Sequence, residues 1–173
     1  MTELTLRLVA PADAATYARV ARDTFRDAYA ALSDPAMMAQ HLRMNFGEEQ
    51  QRAELLDPAN TVYTALAPDG EWAGFAALRT GEAPACVLGI APLQLARLYS
   101  QRAWYGRGVG DFLLDAVLDH ARRGGHGLVW LQVWELNARA RRFYARRGFT
   151  QVGTHPYRFA DQWEDDLVLV LRT

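Results

Sequence analysis

Six residues, Tyr105-Gly106-Arg107-Gly108-Val109-Gly110, stand between an apolar strand pattern over Leu93 to Tyr99 and an amphipathic helix pattern over Asp111 to Arg123. A glycine turn that opens a helix presents backbone N–H groups at the positive end of the helix dipole, where an anion is favoured. The ligand this points to is phosphorylated, with Arg107 adding a cation inside the turn. Gly-x-Gly spacing also marks ordinary tight turns and close packing. No Gly-Lys-Ser/Thr follows, which excludes a Walker loop, and no acid stands about 20 residues on at the end of a next strand, as a dinucleotide fold requires. A second stretch, Trp134-Glu135-Leu136-Asn137 followed by Arg139, Arg141, Phe143, Tyr144 and Gly148, places Asn137 and Tyr144 two helical turns apart. They lie about 10.5 Å apart along the axis on nearly one face, with Arg141 between, and could line an elongated ligand. Asn137 can equally serve as a helix cap, and Tyr144 as a packed aromatic.

Composition narrows the classes of function. The chain has 173 residues, half of them hydrophobic, which suits one domain over 1–173 with a single core. Its net charge of -1 gives no global field toward nucleic acid or a membrane surface. Glu3 and Arg7 interrupt the apolar start and no long uncharged run appears later, so neither secretion nor a membrane span is expected. Cys86 is the one cysteine, which excludes an intrachain disulfide and a cysteine metal cluster and fits a reducing cytoplasm. His41, His120 and His126 have no carboxylate at ligand spacing, so no metal is expected.

The elements that must hold these residues follow from periodicity. Leu4, Leu6 and Leu8 alternate as a half-buried strand. Helical spacing of Tyr17, Val20, Ala21 and Phe25 predicts a helix from Asp13 to about Tyr29. Ser33-Asp34-Pro35 starts a second helix, broken near Asn45 to Gly47, and Glu48 to Leu56 forms a third. Thr61–Leu66 and Trp72–Leu78 flank Pro68-Asp69-Gly70 as a hairpin. After the helix over 111–123, Gly124-Gly125 is a stop; Leu128–Trp134 is a strand, Asn137–Arg147 a short helix, and Phe149–Thr154 and Leu167–Leu171 are two last strands.

Together, the glycine turn and the Asn137 to Phe149 stretch resemble the GNAT superfamily of N-acetyltransferases, whose turn follows the pattern Arg/Gln-x-x-Gly-x-Gly/Ala. Tyr105 departs from it at the first position. The likeness to Thr24-Phe25-Arg26-Asp27, Leu95-Ala96-Arg97-Leu98-Tyr99, Trp134-Glu135-x-Asn137 and Asp166-Leu167 extends to the PaiA-type polyamine N-acetyltransferase branch over nearly the whole chain. The resemblance implies an α/β (α+β) fold: a twisted, mostly antiparallel mixed sheet with helices on both faces, splayed between the Leu93–Tyr99 and Leu128–Trp134 strands. It implies acetyl-CoA as co-substrate, held by Tyr105, Gly106, Arg107, Gly108, Val109 and Gly110 at the pyrophosphate and by Asn137 and Arg141 along the arm. Leu98, Tyr99 and Ser100 would contact the acetyl and pantetheine groups, and Tyr144 would protonate the departing thiolate. The acceptor would be a primary amine of a small molecule attacking the thioester directly. Dimerisation is common in the superfamily, and no residue here decides it.

An alkylamine is protonated at neutral pH, and exposing its lone pair costs about 4.6 kcal/mol at pH 7, so a base is expected. Many relatives carry a glutamate on the strand before the turn, but Gln94 and Ala96 stand here and neither takes a proton. Asp27, Glu135 and His155 are the substitutes. A polycationic acceptor would need acids in its channel, which leaves Asp23, Asp27, Glu135 and the run Glu164-Asp165-Asp166; a less charged amine fits better. Two other readings stay open: an acyl-CoA-binding or sensing module on the same fold, and a protein acetyltransferase acting on a lysine or N-terminal amine. Acceptor specificity is expected from Gly81–Pro92 and Ser33–Leu56, which flank the cofactor site.

Overall fold

The computed structural model describes residues 3–173. Seven strands form one sheet in the order β1-β2-β3-β4-β5-β7-β6, where β1 is Thr5–Leu8, β2 Asn60–Leu66, β3 Trp72–Thr80, β4 Leu93–Ser100, β5 Leu128–Val133, β6 Thr150–Phe159 and β7 Gln162–Arg172. All neighbours are antiparallel except β4 and β5, which are parallel. The helices are α1 Ala14–Tyr29, α2 Pro35–Asn45, α3 Glu48–Leu56, α4 Val109–Arg123 and α5 Ala138–Arg146. On one face, Leu113, Leu114 and Val117 of α4 and Tyr144 of α5 pack on Leu78, Leu95 and Leu131. On the other, Tyr17, Val20 and Phe25 of α1 pack with Met38 of α2 on Val62 and Phe75. The expected mixed, mostly antiparallel sheet covered on both sides is present. Among the described residues no helix is long and apolar enough to cross a membrane.

The helices lie within a residue or two of their expected limits, while three strand readings change. At the sheet edge β1 pairs only with β2, so its alternation faces no second layer: Leu6 is 38% and Leu8 59% exposed. Of the apolar face expected there, Leu4 packs on the core beneath α4, whereas Leu6 and Leu8 face solvent. The final hairpin is much longer than the apolar runs indicated, pairing Thr150 with Val170 at one end and Phe159 with Gln162 at the other. Its outer half turns Tyr157 and Phe159 of β6 toward the core between exposed Pro156 and Arg158, while β7 there carries Gln162, Glu164, Asp165 and Asp166, so apolar runs alone do not mark it. In β5, Val129, Leu131 and Val133 are buried, but so are Leu128 and Trp130, because the loop residues Ala83, Cys86 and Val87 cover the second face.

His41 of α2 fastens the tip of the last hairpin. Its Nδ1 accepts the buried Ala160 N–H at 3.1 Å, so the ring proton sits on Nε2, which faces the Tyr157 hydroxyl at 3.3 Å. Burial and the nearby Arg97 charge push its pKa down to about 4, keeping the ring neutral.

All 19 basic residues are arginines; this chain contains no lysine. The most enclosed of their ion pairs joins Arg97 of β4 to Glu54 of α3 at 2.8 Å, with side chains 23% and 17% exposed. Arg97 also donates to the Gln51 side chain at 2.9 Å and the Tyr17 hydroxyl at 3.1 Å, while Tyr17 donates to Glu54 at 3.0 Å. The network ties α1, α3 and β4 together and leaves no charge unpaired within it. Removing one partner of such a pair leaves a poorly solvated charge, whereas an exposed pair contributes little. Glu54→Ala is therefore expected to lower unfolding stability by about 3 kcal/mol, and Glu48→Ala, which breaks the exposed pair with Arg52, by less than about 0.5 kcal/mol. Equal losses in urea denaturation would refute the distinction.

Candidate active site

β4 and β5 share two register pairs, Leu93 with Val129 and Gln94 with Trp130, and no more. Beyond Gln94 the edge of β4 that faces β5 has no strand partner, so its backbone N–H and C=O groups line an open gap. A bulge accompanies the parting. Leu78 of β3 opposes Leu95 and Ala77 opposes Arg97, which leaves Ala96 as an extra residue in β4. The extra residue resets the alternation: Leu95 and Leu98 pack on the α4 side, whereas Gln94, Ala96, Arg97 and Tyr99 face a cavity on the α1 side.

β4 leads into the glycine turn and then into α4. Gly108 is the helix N-cap with φ 81°, a left-handed conformation that glycine adopts without strain. The amides of Gly108, Val109, Gly110 and Asp111 donate to no backbone or side-chain group among the described residues. Four such donors are expected at a helix start, and here they sit at the end of the gap. Gly74 of β3 lets the layers approach: a Cβ there would lie 2.4 Å from the Tyr99 carbonyl oxygen and 2.9 Å from a Val109 methyl. Two guanidinium groups flank the turn on aromatic shelves, Arg107 over the Trp104 ring at 5.5 Å and Arg139 over the Tyr105 ring at 3.6 Å. Tyr105, the departure from the family pattern, thus carries a cation from α5.

Asn137 caps α5, its Oδ1 accepting the Ala140 N–H at 3.1 Å. Tyr144 lies on the same helix, 8% exposed, its ring edge-on to Phe143 and Phe149. No buried side-chain oxygen or nitrogen among the described residues lacks a hydrogen-bond partner. The Tyr144 hydroxyl has no protein partner, so it must reach open space. Burial raises its pKa, and the neighbouring Tyr29 adds to the effect, so the phenol stays protonated. Arg141, exposed, donates to the Glu135 carbonyl at 3.0 Å.

The cavity has a volume of about 430 Å³. Its aromatic walls include Phe25, Tyr29, Tyr99, Trp134, Tyr157 and Phe159. The Tyr99 hydroxyl donates to that of Tyr29 at 3.3 Å. One group there is unlike the rest. Asp166 of β7, one residue beyond the last β5–β7 pair (Val133 with Leu167), lines the cavity and is 6% exposed. It makes no hydrogen bond or ion pair among the described residues, so its carboxyl oxygens open into the cavity. Burial, reinforced by Glu164 and Asp165, raises its pKa to about 6. The Tyr29 hydroxyl feels Asp166 and Tyr99, and Tyr144 in turn feels Tyr29, so Tyr29 bridges the cavity and the gap.

The residues expected from sequence divide accordingly. Tyr99 reaches the cavity; Leu98 packs on the α4 core; Ser100 ends β4 opposite Gly74. Asp27 and Glu135 are exposed and belong to no wall of the cavity, and His155 is likewise absent from it, its Nδ1 beside the Pro156 carbonyl. Gly81–Pro92 contributes no lining residue because it packs over β5 and β7, whereas Ser33, Asp34, Met37 and His41 of the other expected region do line it. Arg147 is committed to Asp111 at 2.7 Å and to Asp115. Asp166, Tyr29 and Trp134 are the cavity groups that sequence reading gave no catalytic part. Gln162 to Asp166 lies outside the strand expected over Leu167–Leu171, and its pairing with β6 is what buries Asp166.

Residues 21–149 match the model of the Acetyltransferase (GNAT) family. A relative in Lactobacillus delbrueckii subsp. lactis, an uncharacterised N-acetyltransferase, is 29% identical over 169 residues, covering 98% of this chain and 97% of that protein. Another uncharacterised N-acetyltransferase, from Mycobacterium tuberculosis, is 33% identical over 158 residues, covering 91% of this chain and 96% of that one. The crystal structure of PaiA N-acetyltransferase from Thermoplasma acidophilum in complex with coenzyme A has the same fold, with a TM-score of 0.82 at 19% identity over 99% of both chains. With a split sheet, a helix start of free amides and a capped helix bearing Tyr144, the chain belongs to the GNAT family and is an N-acetyltransferase that uses acetyl-CoA.

Proposed function

We propose that the enzyme acetylates the primary amine of a small molecule held in the aromatic cavity, with Asp166 taking the proton of the incoming ammonium and Tyr144 giving one to the departing thiolate. The observation that carries this reading is Asp166 itself: buried, unpaired and on the cavity wall beside the gap. The residues present fit acetyl-CoA. The free amides at Gly108 to Asp111 suit its diphosphate, and the unpaired edge of β4 suits an arm built of amides. When bound, it supplies an activated acetyl thioester.

The chain's own groups then have distinct tasks. Tyr105 to Gly110 and Arg107 hold phosphate, and the backbone of Leu98, Tyr99 and Ser100 receives the arm together with Asn137 and Arg141. Asp166 is ionised at pH 7 yet basic enough to accept a proton, the compromise that proton transfer near neutrality needs. Freed of that proton, the amine nitrogen forms a bond to the acetyl carbon while the carbon–sulfur pair leaves with sulfur. Tyr144, kept protonated by burial, supplies the sulfur proton and regains one from the acetylated nitrogen. The sum is R–NH₃⁺ plus thioester giving amide, thiol and one proton. Asp27 and Glu135, exposed and away from the cavity, leave the proton-accepting part to Asp166.

The primary test is release of free thiol from acetyl-CoA with a panel of primary amines. Asp166→Asn is expected to lower kcat/KM by about 10²-fold or more and to remove the rise in rate through about pH 6; an unchanged acid limb would eliminate Asp166 as the base. The same substitution is expected to raise stability. The fold disfavours the ionised form, a penalty present in full above about pH 6 and gone once the carboxyl is protonated in both states. Asp166→Asn should therefore gain up to about 3 kcal/mol at pH 7, and the gain should vanish toward pH 4; thermal unfolding at the two pH values reads this directly. Tyr144→Phe should lower kcat by about 10²-fold with the Kd for CoA within threefold of the parent. Full turnover in that variant would remove Tyr144 from the chemistry, and tight CoA binding without turnover on any amine would favour a sensing module.

A further inference from the structure

We infer that the acceptor is a singly charged primary amine carried on an aromatic body, an arylalkylamine in chemical class. The inference rests on the reading of the cavity as the acceptor site and concerns what that cavity selects.

Consider which polar groups of the wall are free to meet a ligand. Two of the tyrosine hydroxyls are partly engaged: that of Tyr29 accepts from Tyr99 and that of Tyr157 faces Nε2 of His41, each keeping its own proton to donate. Asn45 donates to His41, Gln132 to the His155 carbonyl, and Arg97 to Glu54, Gln51 and Tyr17. Asp34 caps α2 through the Ala36 and Met37 amides at 2.9 and 3.0 Å. Much of the enclosed wall is ring face, so a sugar-like acceptor would leave hydroxyls against it unpaired, and each one left dry costs free energy. Ser33, Arg79, Gln94 and Gln162 also line the wall without a side-chain hydrogen bond, all of them half-buried or exposed; the one fully buried polar side chain without a partner among the described residues is the carboxylate of Asp166, with Glu164 half-buried two residues along the same strand.

That combination suits one ammonium and one flat apolar body. The ammonium meets Asp166 as counter-ion with ring faces around it, where cation–π attraction adds to the pairing. The rest of the molecule buries against Phe25, Trp134 and Phe159, and a cavity of about 430 Å³ is of ligand size. A second or third ammonium would meet the half-buried Glu164 and the exposed Asp34, whose carboxylate already caps α2, and the guanidinium groups of Arg79 and Arg97 lie on the same wall. Long polycations are therefore placed at a disadvantage.

The experiment compares kcat/KM for thiol release with phenethylamine and tyramine against spermidine, kanamycin and a lysine peptide. In parallel, calorimetry measures phenethylamine binding to the parent and to Asp166→Asn in the presence of CoA. The arylalkylamines are expected to exceed the other three by at least tenfold, and Asp166→Asn to weaken phenethylamine binding by at least tenfold. Preference for spermidine, kanamycin or the peptide, or rates within threefold across the panel, would overturn the acceptor class while leaving the acetyltransfer reading intact. Binding of phenethylamine that depends on Asp166, without turnover on any amine, would uphold the class and sink the catalytic reading. Neither binding nor turnover would overturn both.

Discussion

Everything in the site depends on how little holds β4 to β5. A sheet gains most from continuous ladders, yet this one gives up its central ladder after two register pairs and places a bulge at Ala96 in the same strand. The bulge turns Gln94, Ala96, Arg97 and Tyr99 toward one face while Leu95 and Leu98 stay with the other core. The parting opens a slot lined by unpaired backbone. α4 begins beside one end of it with its own unpaired amides, and Tyr144 and Asp166 approach it from α5 and β7. The two half-sheets are kept together by packing on either side, through α4 and α5 on one face and α1 on the other.

Two charges inside this frame are treated in opposite ways. Arg97 is enclosed and its charge is answered by Glu54, with Gln51 and Tyr17 as further acceptors, so it fixes three elements. Asp166 is enclosed and unanswered, which stabilises nothing and leaves a carboxylate ready to bind a cation. A fold selected for stability alone would not keep the second arrangement. Its presence beside the slot is the clearest mark of function in the molecule, since perturbed carboxylates gather where chemistry needs them.

Much of this was legible in the chain. The glycine turn, the Asn137 cap and the positions of five helices followed from local rules of φ, capping and helical period, which depend on neighbours in sequence. Motif likeness supplied the split of the sheet, which spacing alone could not. What escaped depended on distant pairing. Leu6 and Leu8 have the pattern of a buried face, but no layer covers the edge where β1 lies. From His155 to Asp166, Tyr157, Phe159 and Trp163 are interleaved with charged and polar residues, and the long hairpin and the burial of Asp166 emerge only from the pairing of β6 with β7. Asp27 and Glu135 had the right chemistry in neighbouring stretches, and only the packed structure shows them facing solvent away from the cavity.

The arginine-only make-up of the chain gives the enzyme a chemical immunity. A thioester can transfer its acyl group to an unprotonated amine, and lysine is the side chain that offers one. A guanidinium does not deprotonate in water and is no nucleophile. With no lysine in the chain, no side-chain amine of its own competes with the acceptor.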